Sequence, residues 1–194
     1  MAPGLKPGLQ KLALGPERVN TGAMRLRTTV PTLAACMMLD HARLQPGHRV
    51  LELAAGPGDT GFLAAELVSP GGVLVCSDAS EAMLAVARRR AEAIGVHNVE
   101  FRRIELEWID LETASVDAAL CRWGYMLVPD PEAALRETRR VLRPGGRVAL
   151  AVWGEATRNP RLTIARQAAA ELAEIGLHAG AQALRRALDR LSRL

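Results

Sequence analysis

Three carboxylates and one glycine-rich turn stand where this chain could do chemistry. Glu52 lies near the end of the apolar run Arg49-Val50-Leu51-Glu52-Leu53, Asp78 follows Val73-Leu74-Val75-Cys76-Ser77, and Glu105 comes just after Val99-Glu100-Phe101-Arg102-Arg103. After the first run comes Gly56-Pro57-Gly58-Asp59-Thr60-Gly61, which leads into Phe62-Leu63-Ala64-Ala65-Glu66-Leu67 with its apolar residues at helical spacing. The order strand, tight loop, helix follows. Glycines suit such a loop because a backbone without Cβ turns sharply and lets a nucleotide come against the peptide groups. The loop satisfies G-x-G-x-x-G, and Asp78 stands about twenty residues further on, where an acid can hold ribose hydroxyls.

Two cofactor classes fit that pattern, and Glu52 separates them. A nicotinamide dinucleotide brings a pyrophosphate to the helix N-terminus, where free amides welcome negative charge. A carboxylate just ahead of the loop would repel it. S-adenosylmethionine has no phosphate and carries an ammonium and a sulfonium, both favoured by a nearby carboxylate. The residues therefore point to the sulfonium cofactor, with an NAD-dependent oxidoreductase as the alternative.

The elements that must position these groups are readable in outline. Strands are expected at Arg49 to Leu53, Val73 to Ser77, Val99 to Arg103, Val116 to Cys121 and Arg147 to Trp153. Pro-Gly turns at Pro46-Gly47, Pro70-Gly71 and Pro144-Gly145 each end a helix and redirect the chain into a strand. From Thr29 to Leu44, Leu33, Cys36, Met37 and Asp40 recur at helical spacing after Pro31, and this helix is expected to lie over the start of the nucleotide fold. Ser80 caps a helix with Met83, Val86, Ala87, Ala91 and Ile94 on one face and Gly95 at its end, and Asp130-Pro131 opens another with Leu135, Thr138, Val141 and Leu142 inward. Strands alternating with helices imply an α/β fold with a parallel sheet covered on both sides.

Residues 1–28, basic and rich in Pro and Gly, read as a mobile extension, 29–158 as the cofactor-binding domain, and 159–194 as C-terminal helices packed on that same domain. In the last of these helices Arg185, Arg186, Arg190 and Arg193 form a solvated face opposite Leu184, Leu188 and Leu191. The net charge of +4 does not make the chain a nucleic-acid binder, because an aromatic share of 3% leaves few platforms for bases. No apolar run is long enough to span a bilayer. Cys36, Cys76 and Cys121 form no CxxC pair and read as small buried hydrophobes of a reducing cytoplasm. The four histidines show no metal-ligand spacing, and no metal is expected.

Glu52-Leu53-Ala54-Ala55-Gly56-Pro57-Gly58 resembles the first motif of the Rossmann-like S-adenosylmethionine-dependent methyltransferases, with Ala54 in place of the usual first glycine. Ser77-Asp78-Ala79-Ser80-Glu81-Ala82-Met83-Leu84 is similar to the family's second strand end, and Glu105-Leu106-Glu107 to its third. Ser115 to Cys121 and Leu142-Arg143-Pro144-Gly145-Gly146 resemble the fourth strand and the turn before the fifth. The overall pattern is closest to the ubiquinone and menaquinone biosynthesis C-methyltransferase group. The resemblance covers about Gln45 to Trp153. It implies that Glu52, Ala54, Gly56, Gly58, Asp78, Ala79, Glu105, Leu106 and Cys121 border the cofactor. Asp78 would hold the ribose, Glu105 the adenine amino group and the Leu106 amide a ring nitrogen, although Asp78 also suits a helix cap and Glu105 a solvated loop.

The implied activity is methyl transfer to a small molecule, leaving S-adenosylhomocysteine. An in-line nucleophile matters more here than protein acid or base, so no catalytic side chain is singled out. The acceptor is expected at the loop after the fourth strand, where Arg122, Trp123 and Tyr125 either flank it or, for the two aromatics, pack on the first helix. The family's sheet has seven strands with a final antiparallel pair; five are expected here, with a helical C-terminus. That leaves Val148 to Trp153 as an apolar edge, to be covered by the C-terminal helices or by a second chain in a homodimer. A shortened scaffold that binds cofactor without turnover is a third reading.

Overall fold

Residues 30–155 and Asn159 are described by the structure, a computed structural model. The elements run α1 (Val30–Ala42), β1 (Arg49–Leu53), α2 (Asp59–Val68), β2 (Val73–Asp78), α3 (Glu81–Ile94), β3 (Val99–Arg103), β4 (Val116–Arg122), α4 (Pro131–Val141) and β5 (Leu142–Ala151). All strand pairs are parallel, in the order β3-β2-β1-β4-β5. This is the Rossmann-like α/β fold, and its strand order reverses direction between β1 and β4. A crevice opens at such a point beyond the strands' carboxyl ends.

Period-two alternation sorts the central strands into two layers. Val50, Leu74, Cys76, Ala118 and Leu120 face a core shared with α1, α2 and α3, while Leu51, Leu53, Val75 and Cys121 face a second core with Ala134 and Val141 of α4. A sheet buried on both faces needs apolar residues at successive positions, which is why β1, β2 and β4 read as continuous apolar runs. Glu52 interrupts that run. It points into the α2 side, between two apolar layers.

The local punctuation holds. Ser80 Oγ accepts from the Met83 amide at 3.4 Å, Gly95 ends α3 at φ 73°, and Asp130 caps α4 by accepting from the Ala133 amide with Pro131 as its first residue. The inward faces of the helices differ from expectation. In α1 the buried residues are Ala35, Cys36, Met38, Leu39 and Ala42, while Leu33 and Met37 are exposed. In α3 Leu84 replaces Met83, and in α4 Ala134 replaces Leu135. Period alone does not say which flank of an apolar stripe will touch the sheet.

The fifth strand begins earlier than expected. Val116 pairs with Leu142 and Ala118 with Arg147, so Arg143-Pro144-Gly145-Gly146 bulges out between two parts of one strand, with Gly145 at φ 81°. Among the described residues β5 is an edge, and Val148, Leu150 and Val152 stay exposed. The unit that holds the sheet closes at Val152. The expected extension at 1–28 and, apart from Asn159, the expected C-terminal helices at 159–194 lie outside the described residues.

Candidate cofactor and methyl-transfer site

Glu52 is 3% exposed and is the last residue but one of β1, just before the glycine loop. Burial pushes its carboxyl up to about 8, against the pull of the Arg122 guanidinium and a hydrogen bond from the Gly61 amide. Its Oε2 is left without a hydrogen-bond partner, as is Thr60 Oγ1. Gly61 makes this contact sterically feasible: a Cβ there would collide with Glu52 Oε2 and with Leu74. The third glycine of the loop is thus the one that lets α2 sit against the buried acid.

The loop itself needs unusual backbone. Ala54 has φ 50°, Gly56 φ 54° and Gly58 φ 85°. Ala54 therefore occupies a left-handed position that glycine fills without strain, in keeping with its place as a stand-in for the first glycine. A Cβ on Gly58 would run into the Phe62 ring, whereas one on Gly56 would meet nothing within 4 Å. Gly56 fronts open space.

Asp78 ends β2 and binds the loop to it. Its Oδ2 accepts from the Gly56 amide at 2.8 Å and its Oδ1 from the Ser80 amide at 2.9 Å. The Ala55 amide donates to the Ser77 carbonyl at 2.9 Å, and Ser77 Oγ donates to the Glu52 carbonyl at 2.7 Å. A carboxylate offers about four lone-pair sites, so two remain for a diol. Ala79 is exposed next to it, its carbonyl taken by Arg103 Nε at 3.1 Å. At the end of β3, Glu105 is exposed and Leu106 is buried in the α4-side core. The Ile104 amide donates to the Asp78 carbonyl at 3.3 Å, which sets the Glu105 turn beside Asp78.

At the end of β4, Cys121 is buried opposite Leu53, its thiol pushed up to about 11 by desolvation. The acceptor-side residues divide. Arg122 donates to the Pro31 carbonyl at 3.1 Å, pairs with Asp59 at 3.5 Å and lies over the Trp123 ring at 4.8 Å. It joins α1, α2 and β4, and its guanidinium faces protein partners. Tyr125 is 6% exposed, and its hydroxyl is hydrogen-bonded to Thr138 of α4, so it packs on α4 and not on the first helix. Trp123 is half-buried at φ 65°, and Met126 and Leu127 after it are exposed.

Two residues outside the expected set complete the loop. Arg90 donates to the Pro57 carbonyl at 2.6 Å and pairs with Asp59 at 2.8 Å. Asp59 was legible as an acid in a first helical turn, but nothing local pointed to Arg90. Among the described residues no group of three or more His, Cys, Asp or Glu is placed to hold a metal.

A buried acid with an unpartnered oxygen, open space at Gly56 and a strand-end carboxylate with spare acceptor capacity fit a cationic nucleoside better than a dinucleotide. The comparisons agree. A family described as "Methyltransferase domain" matches residues 50–146, half of the chain. This chain belongs to the S-adenosylmethionine-dependent methyltransferases. It is 37% identical over 109 residues to an arsenite methyltransferase of Halobacterium salinarum, covering 56% of this chain and 28% of that protein. It is 34% identical over 111 residues to the ubiquinone/menaquinone biosynthesis C-methyltransferase UbiE of Pasteurella multocida, covering 57% and 41%. The chain thus spans less than half the length of these curated relatives. A methyltransferase structure from Aquifex aeolicus shares the fold at TM-score 0.58 and 24% identity, covering 75% of this chain and 71% of that one.

For a methyltransferase of this family the cofactor is S-adenosylmethionine, and the nicotinamide alternative falls away. The five-stranded parallel order found here carries every motif named from the sequence. No helix among the described residues is long and apolar enough to cross a membrane.

Proposed function

We propose that this methyltransferase domain holds S-adenosylmethionine across the ends of β1, β2 and β3 and passes its methyl group to a small molecule beyond β4. The observation that carries this reading is the buried Glu52 carboxyl beneath the glycine loop, whose Oε2 has no hydrogen-bond partner. In this reading Glu52 faces the methionine end, Asp78 accepts from the ribose hydroxyls, Glu105 from the adenine amino group and the Leu106 amide meets a ring nitrogen. Ala54, Gly56 and Gly58 supply the backbone shape, and Ala79 and Cys121 line the walls. The bound sulfonium supplies a methyl on a good leaving group. What the protein adds is alignment, worth effective molarities on the order of 10⁵ M or more, and exclusion of water.

On the acceptor side Trp123 stands at the rim, with Arg122 and Tyr125 fixing the backbone on either side of it. The arsenite and quinone names of the two relatives support a small-molecule acceptor without choosing one. Calorimetric titration with S-adenosylhomocysteine and, separately, NADH tests the cofactor site; binding of NADH alone would overturn it. Product analysis against phenols, quinols and amines tests turnover, and bound cofactor with no methylated product would favour a non-catalytic binding protein. Pairing of two chains along β5, an edge among the described residues, is proposed from its exposed Val148 and Leu150. Sedimentation showing only monomer at every concentration would remove it.

A further inference from the structure

Trp108 is 77% exposed, although indole is among the side chains with most to gain from burial. The turn that displays it is firmly held. Its amide donates to the Glu105 carbonyl at 3.1 Å, and the two residues form an antiparallel bridge. Ile104, Leu106 and Ile109 fasten the turn into the α4-side core. On the far side, a Glu137 carboxylate oxygen accepts from the Ile109 amide at 3.1 Å and Arg140 donates to the Ile109 carbonyl at 2.7 Å.

Residues paired across an antiparallel bridge carry their side chains on the same face, with Cβ atoms about 4.5–5.5 Å apart. The bridge therefore puts the Trp108 and Glu105 side chains on one face of the turn. Together they offer a hydrogen-bond acceptor for an edge and a π surface for a face. A purine presents both: an exocyclic amino group in the plane of a flat ring.

We propose that Trp108 is the stacking platform for the adenine ring of the cofactor. The proposal rests on the assignment of Glu105 to the adenine amino group and adds the residue that covers the ring's face. It makes Trp108 a positioning residue for the nucleoside, outside the methyl-transfer chemistry itself.

Calorimetric titration of S-adenosylhomocysteine into wild type, Trp108→Ala and Trp108→Phe, with thermal unfolding of each, tests it. Trp108→Ala should bind about five- to a hundredfold more weakly, the loss of one base–aromatic stack. Trp108→Phe should restore most of that loss, and the unfolding temperature should not move because the indole is exposed. Wild-type affinity in Trp108→Ala, or a loss that phenylalanine leaves unrepaired, overturns the proposal. Failure of wild type to bind S-adenosylhomocysteine at all would instead bring down the cofactor site on which it rests.

Discussion

Asp78 Oδ2 accepts a hydrogen bond from the Gly56 amide at 2.8 Å, so the end of β2 and the glycine loop after β1 form one unit before any ligand is considered. The same carboxylate holds the Ser80 amide through its other oxygen and so sets the start of α3. Its two structural bonds leave about half of its acceptor sites free of those amides.

Replacing Asp78 by alanine should therefore act twice. Loss of charged hydrogen bonds to a ribose should weaken S-adenosylhomocysteine binding by about 1.5–3 kcal/mol, and loss of the Gly56 and Ser80 bonds should lower stability by a similar amount. Calorimetry reads the first effect and denaturant unfolding the second. Unchanged affinity would remove Asp78 from the ribose role and leave it a loop anchor.

Glu52 ties stability to pH. In the unfolded chain it titrates near 4.5, whereas in the fold its carboxyl is raised to about 8, chiefly by burial and in spite of Arg122. Between those values the folded chain keeps a proton that the unfolded chain has released, so stability falls as pH rises through this window and levels off above it. Glu52→Gln carries no such penalty. Its unfolding free energy should gain on wild type by a margin that grows from pH 5 to pH 8, reaching a few kcal/mol at most, read by denaturant unfolding at each pH.

The same group should make cofactor affinity pH-dependent. A cation placed against Glu52 favours the ionised carboxylate, so binding near neutral pH releases a proton and S-adenosylmethionine affinity should rise as pH climbs toward about 8. Asp59, Asp78 and Arg122 also act on Glu52. Calorimetry in buffers of different ionisation enthalpy counts the released proton; Glu52→Gln should show none, and a flat wild-type profile would rule out the linkage.

Arg122 holds three segments with one guanidinium: the Pro31 carbonyl, Asp59 and the Trp123 ring. Arg122→Lys should not replace it, because an ammonium cannot make a planar fork and a ring stack at once. Either Arg122→Lys or Arg122→Met should lower stability by about 1–3 kcal/mol. Arg122→Met should also shift the pH dependence of binding upward, since Arg122 is what pulls Glu52 down. Wild-type stability in both variants would reassign Arg122 to the acceptor.

Ala54 sits at φ 50°, where a Cβ is strained. Left-handed backbone costs a non-glycine residue about 1–2 kcal/mol, partly offset by the greater unfolded freedom of glycine, so Ala54→Gly should stabilise the fold by about 0.5–1 kcal/mol. Urea unfolding measures it. A destabilised variant would mean that the methyl group of Ala54 contributes packing that exceeds the strain.

The strands, the glycine loop and the helix caps at Ser80 and Asp130 were legible because each is set by a few neighbouring residues: alternation for the layers, glycine for positive φ, a side-chain oxygen for a free amide. The three acids at strand ends were legible for the same reason, since a strand's direction fixes which end its last residue faces. Partners drawn from distant parts of the chain were not. Local sequence offered no sign that Arg122 would be taken up by Pro31 and Asp59, that the Tyr125 hydroxyl would go to Thr138, or that Arg90 would brace the Pro57 carbonyl. Nor did it show that α1 would bury Ala35 and Leu39 in place of Leu33 and Met37.

The sequence by itself determined the order of strand, loop and helix, and the chemical type of the cofactor, through a carboxylate ahead of a glycine turn. Tertiary structure alone decided the state of that carboxylate. Enclosure of Glu52 by α2 and the sheet, with Gly61 admitting its oxygen and Arg122 nearby, is a sum over segments far apart in the chain. Desolvation depends on that sum, and no local spacing contains it.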